Sequence, residues 1–368
     1  MSHLGLRRNY RKEGKEIWLY CLDRCSVNIY IFLGHQFGLE NYESDNDDEE
    51  MKLLRRSLPY MIKNGVANST FNKYKSSWDK WLVWSSSKNI TGRPAEPYYI
   101  AMYLNHLFFV NKNKGCITAA LYAVRWGHHV VGLPSPTDSP LTKLAYEGAL
   151  RMCGGERVRK DAMPLDTLKE VITKYCSGSS TLMDLRFITV CLIGFAGFMR
   201  IEELLSTQLK NVTISPDHLK IFLPRSKSDQ HRQGNEVLIA KTGTKFCPVG
   251  HVKKFLQEAK LDIHDNPEAY LIPKLHKTKR AHNASKTKGV SYTTIREHFS
   301  KNMDTVRKID ENFGLHSLRS GGASSAAQHG VSDRLISKQG RWASEKARNG
   351  YIKDDKKTRL SVSRSLGL

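Results

Sequence analysis

Acidic residues are in short supply. The chain of 368 residues has 36 Asp and Glu against 58 Lys and Arg, a formal net charge of +22. Seven of those acids crowd into ENYESDNDDEE (40–50), so the remainder carries +29. An excess of that size favours a polyanionic partner, because each phosphate neutralised by Lys or Arg releases counterions. Nucleic acid is the leading partner class and an anionic membrane surface the runner-up; charge alone does not separate either from a merely basic soluble protein. Paired cysteines are missing as well. The seven cysteines are scattered, an odd number that fits reduced thiols in a cytosolic or nuclear protein. Cys21 and Cys25 have no matching Cys/His pair, and CPVGH (247–251) offers only Cys247 and His251, so both read as ordinary residues rather than zinc ligands. Long uncharged apolar runs are also lacking. IWLYCLDRCSVNIYIFLG (17–34) is interrupted by Asp23 and Arg24, which argues against a signal peptide or membrane anchor. There is no Walker-type glycine loop, no metal-ligand cluster and no internal repeat, so no cofactor is expected.

What is present falls into three parts. Residues 1–50 read as an amino-terminal extension, basic and then acidic, without sustained periodicity. Residues 51–155 carry helical spacing: Phe71, Tyr74, Trp78 and Trp81 recur on one face behind an expected N-cap at Ser69, followed by Ile100, Leu104 and Leu107, then Ile117, Leu121 and Val124. A four- or five-helix domain is predicted, with its Trp and Tyr residues in the core. CGGERVRKDAMPL (153–165) marks a linker. Residues 156–368 form the third part, where TLMDLRFITVCLIGFAGF is apolar on most sides and reads as a central buried helix. LKIFLP and NEVLIA read as strands of a β-hairpin joined by RSKSDQHRQG. The basic stretch PKLHKTKRAHNASKTKG (273–289) reads as a loop, lying over phosphates or simply solvated. The fold class is therefore mainly α, with a small β-hairpin or sheet in the C-terminal domain.

Candidate chemistry begins at GFMRIEELL. Arg200 follows an almost wholly apolar segment, where an uncompensated guanidinium is expensive, so it needs an acid or an anionic ligand; Glu203 lies one turn on. An Arg–Glu pair stapling the helix junction is an equal reading of those two residues alone. In HSLRSGG, His316 and Arg319 are three apart, and on a helix they share a face that suits an anion. Trp342 follows 23 residues after Arg319, and Tyr351 nine residues after that.

This order of Arg, hairpin Lys, His-x-x-Arg, Trp and terminal Tyr resembles the tyrosine recombinase, or phage integrase, family over roughly residues 57–360. The resemblance implies a two-domain C-shaped DNA clamp with a helical core-binding domain and an integrase-like catalytic core. It implies strand breakage and rejoining through a 3′-phosphotyrosyl intermediate, without metal or ATP. Under it, Arg200 and Arg319 match the arginines that hold the scissile phosphate, Tyr351 the nucleophile and His316 the assisting imidazole. Lys227 matches the lysine that protonates the leaving 5′-oxygen, with Arg225, Lys241 and Lys245 as nearby alternatives. Trp342 occupies the position filled by His or Trp, and Glu203 the acid supporting the first arginine. GFMR departs from the usual Gly-Leu-Arg, though Phe and Met are apolar enough to keep the turn. The implied partner is double-stranded DNA, with a dimer per recombination site and a homotetramer in which the tail after Tyr351 docks on a neighbour. LPRSKSDQ with CPVGHVKKFL most resembles recombinases of eukaryotic mobile elements, DIRS-like or Crypton-type, which implies a nuclear protein. A catalytically inactive, domesticated DNA-binding protein and a type IB topoisomerase are the alternatives.

Overall fold

The computed structural model describes residues 48–154, 160–176, 178–224, 234–278, 281–354 and 356–366. The chain divides into two compact units that part between Arg157 and Val158.

The first unit holds five described α-helices: α1 Glu49–Asn64, α2 Asn68–Ser86, α3 Pro97–Asn111, α4 Lys114–His129 and α5 Pro140–Met152. Asp48 caps α1 by accepting from the Met51 amide at 2.8 Å, and Asn113 caps α4 by accepting from Gly115 and Cys116. Ser69 is not a cap: α2 begins one residue earlier, with Ala67 at the capping position and no side-chain bond there. The apolar faces meet in one core of Trp78, Trp81, Ile100, Leu104, Leu107, Ile117 and Val124, so the aromatic stripe of α2 is spent on packing. The Trp81 indole donates to the Gly92 carbonyl at 2.9 Å, which satisfies its one polar atom.

The second unit is built around α7, Leu182–Ala196, in which every residue from Leu185 to Phe195 is buried. Thr181 and Asp184 close a capping box at its start. Before it lies α6, Leu165–Tyr175, and after it the short α8, Ile201–Ser206. The expected hairpin is present as β2 (His218–Leu223) and β3 (Asn235–Ala240), with Ile221 opposite Val237. A short β1, Val212–Ile214, adds to its edge to make a three-stranded antiparallel sheet. Helix α9, Pro248–Glu258, packs on α7. The basic stretch 273–289 is not a loop. It forms a second antiparallel hairpin, β4 Pro273–Lys277 and β5 His282–Gly289, with Leu275 opposite Ala284. The β5 sequence HNASKTKG has no apolar alternation to announce a strand, so the pairing is supplied by its partner and by packing against α7.

Four further helices complete this unit: α10 Tyr292–Met303, α11 Leu315–Gln328, α12 Asp333–Gly340 and α13 Glu345–Asn349; α14, Lys356–Arg364, covers much of the tail after Tyr351. Two glycines let α11 lie against its neighbours. A Cβ on Gly321 would run into the Met163 backbone, and one on Gly322 into the Phe195 carbonyl and the Phe198 ring. Gly322→Ala is therefore expected to cost about 1–3 kcal/mol, the usual penalty for overpacking a rigid core, measurable by urea unfolding; an unchanged midpoint would show that α11 can move aside.

Among the described residues no helix is long and apolar enough to cross a membrane, and no group of three or more His, Cys, Asp or Glu is placed to hold a metal. Cys247 instead caps α9, its Sγ accepting from the Gly250 amide at 3.4 Å, and His251 bonds the Lys245 carbonyl at 2.9 Å through Nε2.

Candidate active site

The site grows from the turn that ends α7. Phe198 adopts a left-handed backbone with φ of 45°, a conformation that costs a bulky residue on the order of 1–3 kcal/mol. Its ring contributes to that cost's recovery by packing with Ala323, Ile336 and Trp342 in a small separate core, against which Tyr351 and Ile352 rest. GFMR thus keeps the turn with Phe at the strained position. The Phe198 carbonyl becomes a hub: Arg319 donates to it through Nη1, and Arg341 through Nη2 at 3.3 Å.

Arg200 follows at the start of α8. Its Nη1 donates to Glu203 Oε1 at 2.7 Å, and its amide donates to Oε2 at 3.1 Å. Glu203 is shared with a second cation, Arg341, whose Nη2 donates to Oε2 at 2.7 Å. Burial would raise the Glu203 carboxyl, but the charge of Arg341 and the bonds from Arg200 outweigh it and hold the pKa below the ordinary carboxylate range. A depressed folded-state value means that Glu203 contributes stability above its unfolded pKa of about 4.3, and loses that contribution as pH falls through the folded value. In Glu203→Gln the acid limb of the stability profile is expected to flatten; an unaltered limb would show that the carboxylate is not linked to folding.

Arg319 is the most enclosed cation, with no solvent exposure. Besides Phe198 it donates to the Gly340 carbonyl at 2.5 Å through Nη2. Its guanidinium lies 4.7 Å from the Trp342 ring centroid and 4.9 Å from that of Tyr351, and the two rings are 5.1 Å apart. Burial first, then repulsion from Arg200 and Arg341, pulls its pKa down to about 10, so it stays charged near neutrality. Among the described residues three guanidinium groups share one bonded carboxylate here, a surplus of positive charge in a largely dry region. Such a surplus is costly unless an anion completes it.

Arg200, Glu203, Arg319, Trp342 and Tyr351 are therefore brought together. The Trp342 Nε1–H is buried and has no hydrogen-bond partner among the described residues, and none of those residues bonds the Tyr351 hydroxyl. His316 and Arg319 do not share an outward face as their spacing suggests. His316 is exposed in the first turn of α11, whereas Arg319 turns inward, because two carbonyls and two aromatic faces claim its guanidinium. Lys227 lies outside the described residues, as do Arg225 and the rest of 225–233. Lys241 and Lys245 are exposed, the latter with its ammonium 4.9 Å from the Phe246 ring centroid.

Two residues escaped sequence reasoning. Arg341 sits in the left-handed region at φ 56° and bonds Glu203, which only folding could reveal. Gln339 ties the site to its surroundings by donating to the Ala196 carbonyl at 3.0 Å and the Leu238 carbonyl at 2.9 Å. Their one sequence signal is position, in QGRW beside Trp342.

Comparison with known proteins agrees with this arrangement. No family model matches the chain. An integrase/recombinase XerD homolog from Selenomonas ruminantium is 26% identical over 320 residues, covering 85% of this chain and 89% of the relative. The Cre recombinase of Escherichia phage P1 is 23% identical over 313 residues, covering 82% and 89% respectively. Over most of its length the chain is similar in sequence to these two recombinases. The fold agrees: the XerH site-specific recombinase bound to a palindromic difH substrate superposes with a TM-score of 0.53 at 14% identity, over 92% of this chain and 95% of that one. A lambda integrase (75–356) dimer bound to a core site gives 0.52 at 14% identity, over 82% and 95%.

Proposed function

We propose that this protein cuts and rejoins duplex DNA at a specific site, with Tyr351 attacking a backbone phosphorus and the arginine cluster holding that phosphate. The observation that carries the assignment is the stacking of Arg319 on both Trp342 and Tyr351, beside the Arg200–Glu203–Arg341 cluster. The phenol oxygen forms a bond to phosphorus, the bond to the 5′-oxygen breaks, and the protein is left joined to the 3′-phosphate. Reversal by a 5′-hydroxyl rejoins the strand, so bond energy is conserved and no nucleotide is consumed.

Arg200 and Arg319 bind the non-bridging oxygens. Planar guanidinium groups suit two oxygens at once, and their field stabilises the charge that gathers there in the transition state. Trp342 supplies a further N–H, which its unpaired burial leaves available. Glu203 and Arg341 are positioning residues: the carboxylate orients Arg200, and Arg341 anchors the carboxylate. A phenol with an ordinary pKa of about 10 is a weak nucleophile at neutral pH, so its proton must be accepted or its anion stabilised. His316 assists there, and Lys227 protonates the departing 5′-oxygen. We assign the chain to the mobile-element recombinases, acting in the nucleus of a eukaryotic host, on the strength of LPRSKSDQ and CPVGHVKKFL. Its assembly is a tetramer on DNA, with α14 docking on a neighbouring protomer through exposed Leu360 and Val362.

The test uses a library of nicked duplexes, in which loss of a short strand after cleavage traps the intermediate. Wild-type protein is expected to become covalently attached to a subset sharing one sequence. Binding without attachment to any member would overturn the assignment. Arg319→Lys in the same assay is expected to lower trapping by about two orders of magnitude, because an ammonium cannot fork to two oxygens; trapping within threefold of wild type would remove Arg319 from the phosphate.

A further inference from the structure

The mechanism makes no use of a cavity of about 700 Å³ at the opposite end of α7 from the Phe198 turn. Arg186, which lines it, lies ten residues before Ala196, about 15 Å along the helix axis. Arg186 is only 2% exposed. Its Nη1 donates to the Pro273 carbonyl at 3.2 Å, while its Nε is buried with no partner among the described residues. Burial pulls its pKa down to about 10, so the guanidinium stays charged. Among the described residues no acidic side chain lines the cavity, whereas Lys274, Lys277 and Lys288 stand exposed on its walls. The amino terminus of α10 borders it at Ser291 and Thr294, where the Ser291 hydroxyl caps the Thr294 amide, so the helix adds only the field of its dipole. The nearby carboxylate of Asp184 is engaged in the α7 capping box. Met183, Tyr270, Leu275 and Val290 give the remaining wall an apolar part, beside the polar His282 and Thr287.

We propose that this cavity binds a small phosphate ester of mononucleotide size, its phosphate held by Arg186 and the lysines and its organic part against Tyr270 and Leu275. The depth of Arg186 favours a small ligand over the backbone of duplex DNA, whose phosphates lie on a convex surface and do not enter a recess. The cavity also accounts for a basic hairpin, β4–β5, that the strand-transfer chemistry does not require.

The test is calorimetric titration of the full chain with AMP, with inorganic pyrophosphate and with a 20-bp duplex of arbitrary sequence. Arg186→Met removes the buried charge but risks the fold, so the deciding variant is Lys274→Ala/Lys288→Ala, both exposed positions. AMP is expected to bind wild type and to bind the double variant at least about tenfold more weakly, a loss of about 1.4 kcal/mol. Arg200→Ala is expected to keep AMP affinity within about twofold, because Arg200 and the cavity share no residue. Pyrophosphate binding without AMP binding would overturn the organic half of the proposal. Binding of neither AMP nor pyrophosphate, or AMP binding lost in Arg200→Ala and kept in the double variant, would overturn it altogether. So would duplex binding whose salt slope falls by about two in the double variant while AMP stays unbound, since the lysines would then be backbone contacts.

Discussion

Tyr351→Phe is expected to bind DNA as wild type does and to form no covalent complex, a loss of about four orders of magnitude or more in trapping. The substitution removes one oxygen and keeps the ring on Trp342 and Arg319. Since none of the described residues bonds that hydroxyl, stability is expected to change by less than about 0.5 kcal/mol. The combination is what discriminates. A variant that loses both binding and trapping would mean that the hydroxyl is structural. A variant that still traps would place the nucleophile elsewhere, and proteolysis of the trapped complex would identify the attached residue.

Glu203→Gln is expected to be the most damaging isosteric change to stability, costing about 3–5 kcal/mol in denaturant unfolding. Glutamine preserves shape but removes the one charge that Arg200 and Arg341 both bond, in a largely dry environment that also holds Arg319. Replacing Arg341 by Met at the same time removes one of the stranded charges, so the double variant is expected to recover part of the loss. A cost below about 0.5 kcal/mol for the single change would mean that water reaches the cluster and screens it, and the case for a phosphate as the missing counter-charge would weaken with it. The same variant separates support from chemistry. If Glu203 only orients Arg200, trapping should fall through phosphate affinity, with the pH dependence of attack unchanged.

The two units were readable to different depths. In the helical unit, the spacing of Phe71, Trp78 and Trp81 is enough to place those side chains inside, because a 3.6-residue period has one core-facing solution. The cap of α2 was not readable, since Ser69 is a good capping residue yet the capping position falls two residues earlier, at Ala67. Helix α7 was legible from its run of apolar residues, and β2–β3 from their composition. The second hairpin was not, because β5 is polar and its partner decides its conformation.

At the site, the sequence by itself determined residue identity and order: Arg200, Glu203, Arg319, Trp342 and Tyr351 are marked by motif and spacing, and the charge excess favours a polyanionic partner. Tertiary structure decided direction and company. Spacing puts His316 and Arg319 on one side of a helix, yet only packing turns Arg319 inward, onto two carbonyls and two rings. Arg341 joins Glu203 across 138 residues, and the left-handed Phe198 that offers its carbonyl to both arginines is held by a small core assembled from two helices and the turns beside them. Local sequence governs periodicity because backbone geometry repeats over a few residues. A guanidinium's partner is chosen by whatever acceptor burial brings near it, and that is a property of the folded chain.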